Sequence, residues 1–209
     1  SATDFTSADG CAISSMAGTQ PGSILPPGGT RELFVEKTNG AIGLARLEIG
    51  FDALFYSSSS GISGRFEMAW LNLDGVDLTF GDSFTLVGEI DDAAAVGPGT
   101  LLGLVVEDAS GNFARDDVLL TASGPFQHAF AKSDFTGVDF SQIERIRLGN
   151  IDAASGNYVD VPSGGDVTVN SLELTVVPEP ASFLLPMIAI IGMAMLARRR
   201  IFRGRPSTR

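Results

Sequence analysis

From Arg31 to Val177 the chain alternates short apolar or two-residue-periodic runs with clusters of Gly, Asn, Asp, Ser and Pro. The runs are ELFVE (32–36), GLARLEIGFDALFYS (43–57), GRFEMAWLNL (64–73), DLTF (77–80), SFTLVGEI (83–90), LLGLVVED (101–108), DVLLTAS (117–123), FQHAFA (126–131), RIRLGNI (145–151) and VTVNSLELTVV (167–177). Between them lie SSSSG, LDG, GDS, VGPG, DASGN and SGP, residues that supply positive φ or a pre-set bend. Alternation places Phe66, Met68 and Trp70 on one face of a strand and Glu67, Ala69 and Leu71 on the other. In 167–174 the phase slips at Ser171, passing the apolar face from Val167 and Val169 to Leu172 and Leu174, which marks a β-bulge. LLGLVV (101–106) is apolar on both faces, as expected of a central strand covered on both sides. The one helical hint is DFSQIERI (139–146), where Asp139 or Ser141 would cap a single turn with Ile143 and Ile146 facing inward. Many short strands, turn-rich connections and no long helical period predict an all-β fold, an antiparallel β-sandwich of jelly-roll type. Residues 1–30, broken by Pro21, Pro26-Pro27 and Gly28-Gly29, read as an irregular lead-in with one short edge strand at most.

The pattern changes again at the end. After Pro178-Glu179-Pro180 comes an apolar run, Phe183–Ala197, closed by Arg198, Arg199 and Arg200, with Arg203 and Arg205 following. Counting from Ala181 the run reaches 17 residues, the lower edge of the ~17–25 that span a bilayer as a helix. The competing reading is a buried core helix. The run is terminal, apolar all round and closed by arginines, which favours a single C-terminal transmembrane helix at about 181–197. The basic tail 198–209 then stays cytoplasmic and the body lies outside. Prolines on both sides of Glu179 bar helix and sheet, leaving an extended, accessible junction. Three regions follow: the lead-in 1–30, a β-sandwich domain 31–177 and the tail 178–209.

Charge divides along the same boundary. Residues 1–177 carry 24 acidic and 8 basic residues, a net of −16; residues 178–209 carry 6 arginines and one acid, a net of +5. An acidic body repels phosphate backbones, so nucleic acid is excluded as a partner. Cys11 is the single cysteine and His128 the single histidine, which rules out an intrachain disulfide and Cys- or His-rich metal sites. Residues 1–30 hold neither a basic nor an apolar signal region, so a signal peptide already removed is the expectation.

The three-part tail, Pro178-Glu179-Pro180, then Phe183–Ala197, then Arg198–Arg205, resembles the PEP-CTERM sorting signal of Gram-negative bacteria. That resemblance implies export, transient anchoring in the inner membrane, recognition of the motif by an exosortase-type membrane peptidase, and a cell-surface or extracellular-matrix destination associated with exopolysaccharide and biofilm. The body, from Leu101 to Leu174, carries VEDASGN, FQHAF, DFSQIERIRL and VNSLEL, and resembles a jelly-roll sandwich of the carbohydrate-binding-module type. It implies a fold and transfers no binding residue.

Candidate chemistry within the body is sparse. A Ser-His-Asp arrangement would have to use His128, which alternation places beside Phe126 and Phe130, so a non-enzymatic protein is expected. Sugar stacking would fall to Tyr158, in the loop SGNYVDV, or to Trp70, whose competing reading is core; the Phe residues read mostly as core. Asp91-Asp92, Glu107-Asp108 and Asp116-Asp117 are expected at strand ends, where carboxylates and carbonyls can surround Ca2+. The competing reading of these acids is Asx chemistry in solvated turns. A self-associating or adhesive structural protein is the alternative to a carbohydrate-binding module.

Overall fold

The computed structural model describes residues 5–7, 11–17, 30–39, 44–50 and 53–175. Twelve strands are present: β1 (Phe5–Ser7), β2 (Cys11–Ala17), β3 (Thr30–Asn39), β4 (Ala45–Gly50), β5 (Ala53–Ser58), β6 (Ser63–Leu71), β7 (Ser83–Ile90), β8 (Thr100–Asp108), β9 (Phe113–Leu120), β10 (Gly124–Ala131), β11 (Ile143–Gly149) and β12 (Asp166–Thr175). They form two six-stranded sheets, a front sheet ordered β1-β4-β5-β12-β7-β10 and a back sheet ordered β2-β3-β6-β11-β8-β9. Every pairing is antiparallel, and the chain crosses repeatedly between the sheets, giving a jelly-roll-like β-sandwich. A four-residue helix, α1 (Asp92–Ala95), follows β7, and a single 3-10 turn, Lys132–Asp134, follows β10.

Alternation fills the space between the sheets. The back sheet contributes Leu33, Val35, Phe66, Met68, Leu102, Leu104 and Leu148; the front sheet contributes Leu47, Tyr56, Phe84, Leu86, Phe130 and Val167. Tyr56 of β5 stacks on Phe66 of β6 with ring centroids 4.9 Å apart, joining the two layers at their centre. Each large side chain so enclosed contributes about 1.5–3 kcal/mol through area removed from water.

Two bulges reset the alternation. In β12 the register against β7 shifts between Val169 and Ser171, where the sequence pattern slips. In β11 it shifts against β8 between Ile143 and Arg145, so Ile143 and Ile146 both face the core at 0% exposure. The three-residue spacing that suggests a helix is therefore a strand with one extra residue. The expected short turn lies just before it, where Gln142 N donates to Asp139 O at 3.2 Å.

Other expectations are corrected. The run 43–57 splits into the hairpin β4–β5, and the lead-in contributes two strands, one at an edge of each sheet. DLTF is not a strand: Leu78 is buried, but its N–H donates to Phe140 O at 2.8 Å and its carbonyl accepts from Lys132 Nζ at 2.8 Å, in a loop. Among the described residues no helix is long and apolar enough to cross a membrane. The predicted helix 181–197, Pro178, Glu179, Pro180 and the arginines 198, 199, 200, 203 and 205 lie outside the described residues.

The back sheet is closed from outside by its own chain. β11 ends at Gly149, directly paired with Gly103 of β8. A Cβ on Gly103 would run into the Ile151 carbonyl, and one on Gly149 into the Phe66 carbonyl. The missing side chain at Gly103 makes room for Ile151, where residues 150–161 fold back onto the sheet. Asn150 accepts from Phe66 N (3.2 Å) and donates to Leu101 O (2.9 Å), bridging β6 and β8. Asp117 of β9 accepts from Ala153 N at 2.6 Å, and Val161 N donates to Gly64 O of β6 at 2.7 Å. Gly103→Ala is expected to lower stability by about 1–3 kcal/mol, at the upper end because the obstacle is backbone. Denaturant unfolding of the two proteins measures the difference.

Candidate functional site

The front sheet carries a groove on its outer face, of about 280 Å³, lined by Arg46, Glu48, Phe55, Ser57, Asp166 and Thr168. That is close to the lower end of the ~300–1,000 Å³ usual for small-molecule sites. Its walls follow from strand register. In one row Arg46 of β4 faces Ser57 of β5, which faces Asp166 of β12. In the next, Glu48 faces Phe55, Phe55 faces Thr168, Thr168 faces Glu89 of β7, and Glu89 faces Pro125 of β10. Five strands at ~4.8 Å spacing make that row about 19 Å long, a dimension suited to an elongated ligand. Phe55 points outward because its neighbours Leu54 and Tyr56 are both buried, at 3% and 1% exposure.

The groove is polar around that ring. Arg46 Nη2 is 2.6 Å from Glu48 Oε2, fixing a cation beside the floor. Glu89 and Asp166 are exposed. Partial burial, then the charge of Asp91, hold the Asp166 carboxyl above the ordinary aspartate range. The arrangement offers one apolar ring face, two hydroxyls, a guanidinium and several carboxylate acceptors. Such a set has the chemistry to meet a polyhydroxylated ring, with C–H faces on Phe55 and hydroxyls on the rim.

The residues singled out from sequence lie elsewhere. Trp70, at 5% exposure, is core and offers no face to a ligand. Tyr158, expected to be exposed, is half-buried within the loop on the back sheet. Its ring stacks on Phe34 (centroids 5.3 Å) and lies 5.3 Å from the Arg65 guanidinium, and its hydroxyl donates to Glu67 Oε2 at 2.8 Å. Glu67 also meets Arg147 Nη1 at 3.3 Å. Burial, followed by Glu67, pushes the Tyr158 phenol up, so it stays a neutral donor. His128 faces inward on β10, its ring edge-on to Phe130 at 4.6 Å. Among the described residues it is hydrogen-bonded to neither a serine nor an acid.

The acids expected to bind Ca2+ are separated and occupied. Asp91 caps α1, accepting from Ala94 N (2.7 Å), and also accepts from Asp166 N (3.0 Å); Asp92 lies in the helix itself. Asp108 accepts from Ser110 N, Asn112 N and Asp139 N at 2.9–3.0 Å and from the Asn112 amide. Asp116 and Asp117 fall in the middle of β9 and not at a strand end; they accept from Asp117 N and Ala153 N. Glu107 pairs with Arg145 at 3.4 Å. Among the described residues no group of three or more His, Cys, Asp or Glu side chains is placed to hold a metal ion. These acids close turns and loops.

No protein-family model and no curated protein matches the chain. Solved structures of similar architecture include the family 11 carbohydrate-binding module of a cellulosomal cellulase of Clostridium thermocellum. It is 13% identical, with a TM-score of 0.40, and the match covers 84% of this chain and 88% of the module. That module is also known in complex with a β-1,3-1,4-mixed-linked tetrasaccharide. An agarase matches at 13% identity and a TM-score of 0.44, over 69% of this chain but 22% of the agarase.

The Asp108 turn generates a pH dependence. The Asp139 N–H first, then the Asn112 amide, hold its carboxyl below the ordinary aspartate range. A depressed folded-state pKa contributes stability that is complete above the unfolded value of ~3.9 and is lost as pH falls through the folded one. Asp108→Asn is therefore expected to lower the melting temperature at pH 7, with a deficit that narrows progressively below about pH 4. Calorimetric scans of both proteins from neutral to acidic pH read this directly.

Proposed function

We propose that this chain is an exported, non-catalytic β-sandwich module that associates with exopolysaccharide at the cell surface or in the extracellular matrix. The observation that carries the reading is the groove on the front sheet. It has Phe55 as an outward-facing platform and surrounds that ring with hydroxyls, carboxylates and the Arg46–Glu48 pair. Its place on regular strands suits it to positioning a ligand, since strand-borne side chains are held by the ladder beneath them. Residues 150–161 cover part of the opposite face. Phe55→Ala is expected to weaken binding of a recognised polysaccharide about tenfold or more while the melting temperature changes little. Affinity electrophoresis through polysaccharide-containing gels measures this, and unchanged migration of the variant would sink the groove as the binding site.

Export is the second half of the proposal. The order Pro178-Glu179-Pro180, apolar run and arginine cluster supports sorting through a PEP-CTERM signal: an exosortase-type peptidase acts on the tail while the 181–197 segment holds the protein in the inner membrane. Intact-mass measurement of the protein recovered outside its native cells is expected to show loss of the residues that follow the Pro-Glu-Pro region. A mass that retains 181–209 would point to a permanently anchored protein.

A self-associating structural role is the second reading. It is favoured by the outer side of β9, an edge strand, where Phe113 and Leu119 are 54% and 53% exposed.

A further inference from the structure

Basic residues are distributed unequally between the two sheets. Of the eight Lys and Arg among the described residues, Arg31, Lys37, Arg65, Arg115, Arg145 and Arg147 lie on strands of the back sheet. Lys132 lies in the turn after β10, and Arg46 alone lies on a front-sheet strand. Alternation puts the carboxylates Glu48, Glu89, Asp166 and Glu173 on the same outer face as Arg46, because each is paired with an outward-facing neighbour. The single guanidinium is already joined to Glu48. Among the described residues the groove and the row leading out of it therefore carry an excess of negative charge.

We propose that the front-sheet groove selects an amine-bearing polysaccharide, a polymer of unacetylated amino sugars, over neutral and uronate-bearing ones. This rests on the reading of the groove as a polysaccharide site and adds the charge of the sugar. Protonated amines on successive pyranose rings seated along the row of Phe55 would meet Glu48, Asp166 and Glu89 in turn. Among the described residues, the side-chain donors along those two rows are the hydroxyls of Ser57 and Thr168 and the paired Arg46. Partial burial first, then Asp91, raises the Asp166 carboxyl above the ordinary aspartate range, and a neighbouring cation would favour its ionised form. A divalent cation is the other ligand that negative charge could call for. It is disfavoured because no three acids converge on one point among the described residues. A uronate polymer would add like charge to the face and bind more weakly.

The test compares oligosaccharides that differ only in amine acetylation. The full chain, kept in a non-ionic detergent, is titrated with deacetylated and fully N-acetylated β-1,4-glucosamine oligomers of equal length, and with an oligogalacturonate. The titrations run at about pH 5.5, where the amine is protonated and most carboxylates are ionised. The deacetylated oligomer is expected to bind about tenfold or more tightly than the acetylated one, with the preference shrinking as salt is raised. Glu89→Gln and Asp166→Asn should weaken binding of the deacetylated oligomer more than that of the acetylated one; Phe55→Ala should weaken both. Equal or tighter binding of the acetylated oligomer, or of the uronate, overturns the charge selection and leaves the groove standing. Binding of none of the three, or binding insensitive to Phe55→Ala, removes the groove and the selection together.

Discussion

Two glycines facing each other across β8 and β11 set what each face of this sandwich can do. In a pleated sheet every second side chain projects outward, so a second layer of chain normally rests about a side chain's height above the strands. At Gly103 and Gly149 there is no such projection, and the Ile151 carbonyl comes down directly onto the backbone. The rest of the loop follows from that contact. Tyr158 reaches Glu67 and Phe34, Ala153 reaches Asp117, and Asp160 reaches Thr38 at 2.7 Å. The back sheet thereby gains an outer layer that ties up polar groups of its strands, and the front sheet keeps its outer side chains for other uses.

Electrostatics reinforce the division. On the back sheet the arginines are matched by acids across neighbouring strands: Arg65 with Glu36 at 2.6 Å, Arg147 with Glu67 at 3.3 Å, and Arg145 with Glu107 at 3.4 Å. Pairs as exposed as these add little to stability. Their larger effect is on the distribution of charge, because they commit most of the domain's cations to one side.

Much of this architecture is legible in the sequence, and the failures have physical causes. SFTLVGEI is β7 to the residue, and the slip at Ser171 is a bulge, because there the local pattern and the tertiary surroundings agree. Ile143 and Ile146 mislead because an inserted strand residue and a helical turn produce the same three-residue spacing. DLTF misleads because Leu78 is buried by a loop whose backbone is satisfied by Phe140 and Lys132 and not by a ladder. The groove escapes a sequence reading for a related reason. Phe residues as a class read as core, yet Phe55 sits between two buried neighbours and must therefore face outward, a signal present in ALFYS once the long run is divided into β4 and β5. Tyr158 misleads because loop membership suggests exposure, and nothing local reveals that a glycine on β8 will let that loop down onto a sheet.

The loop has a mechanical consequence as well. Residues 150–161 touch β3, β6, β8 and β9 while leaving directly from the end of β11, so one short segment is fastened to five of the six strands of its sheet. A tensile load applied at the β9 edge cannot be carried by the β8–β9 ladder alone, where bonds would break in succession as in an opening zipper. It is passed through Asp117 into the loop and from there to β6 and β3, which loads the ladders in parallel. Such cross-bracing raises the force needed to start unravelling, and the loop's own Ile151 and Val161 are buried as it does so.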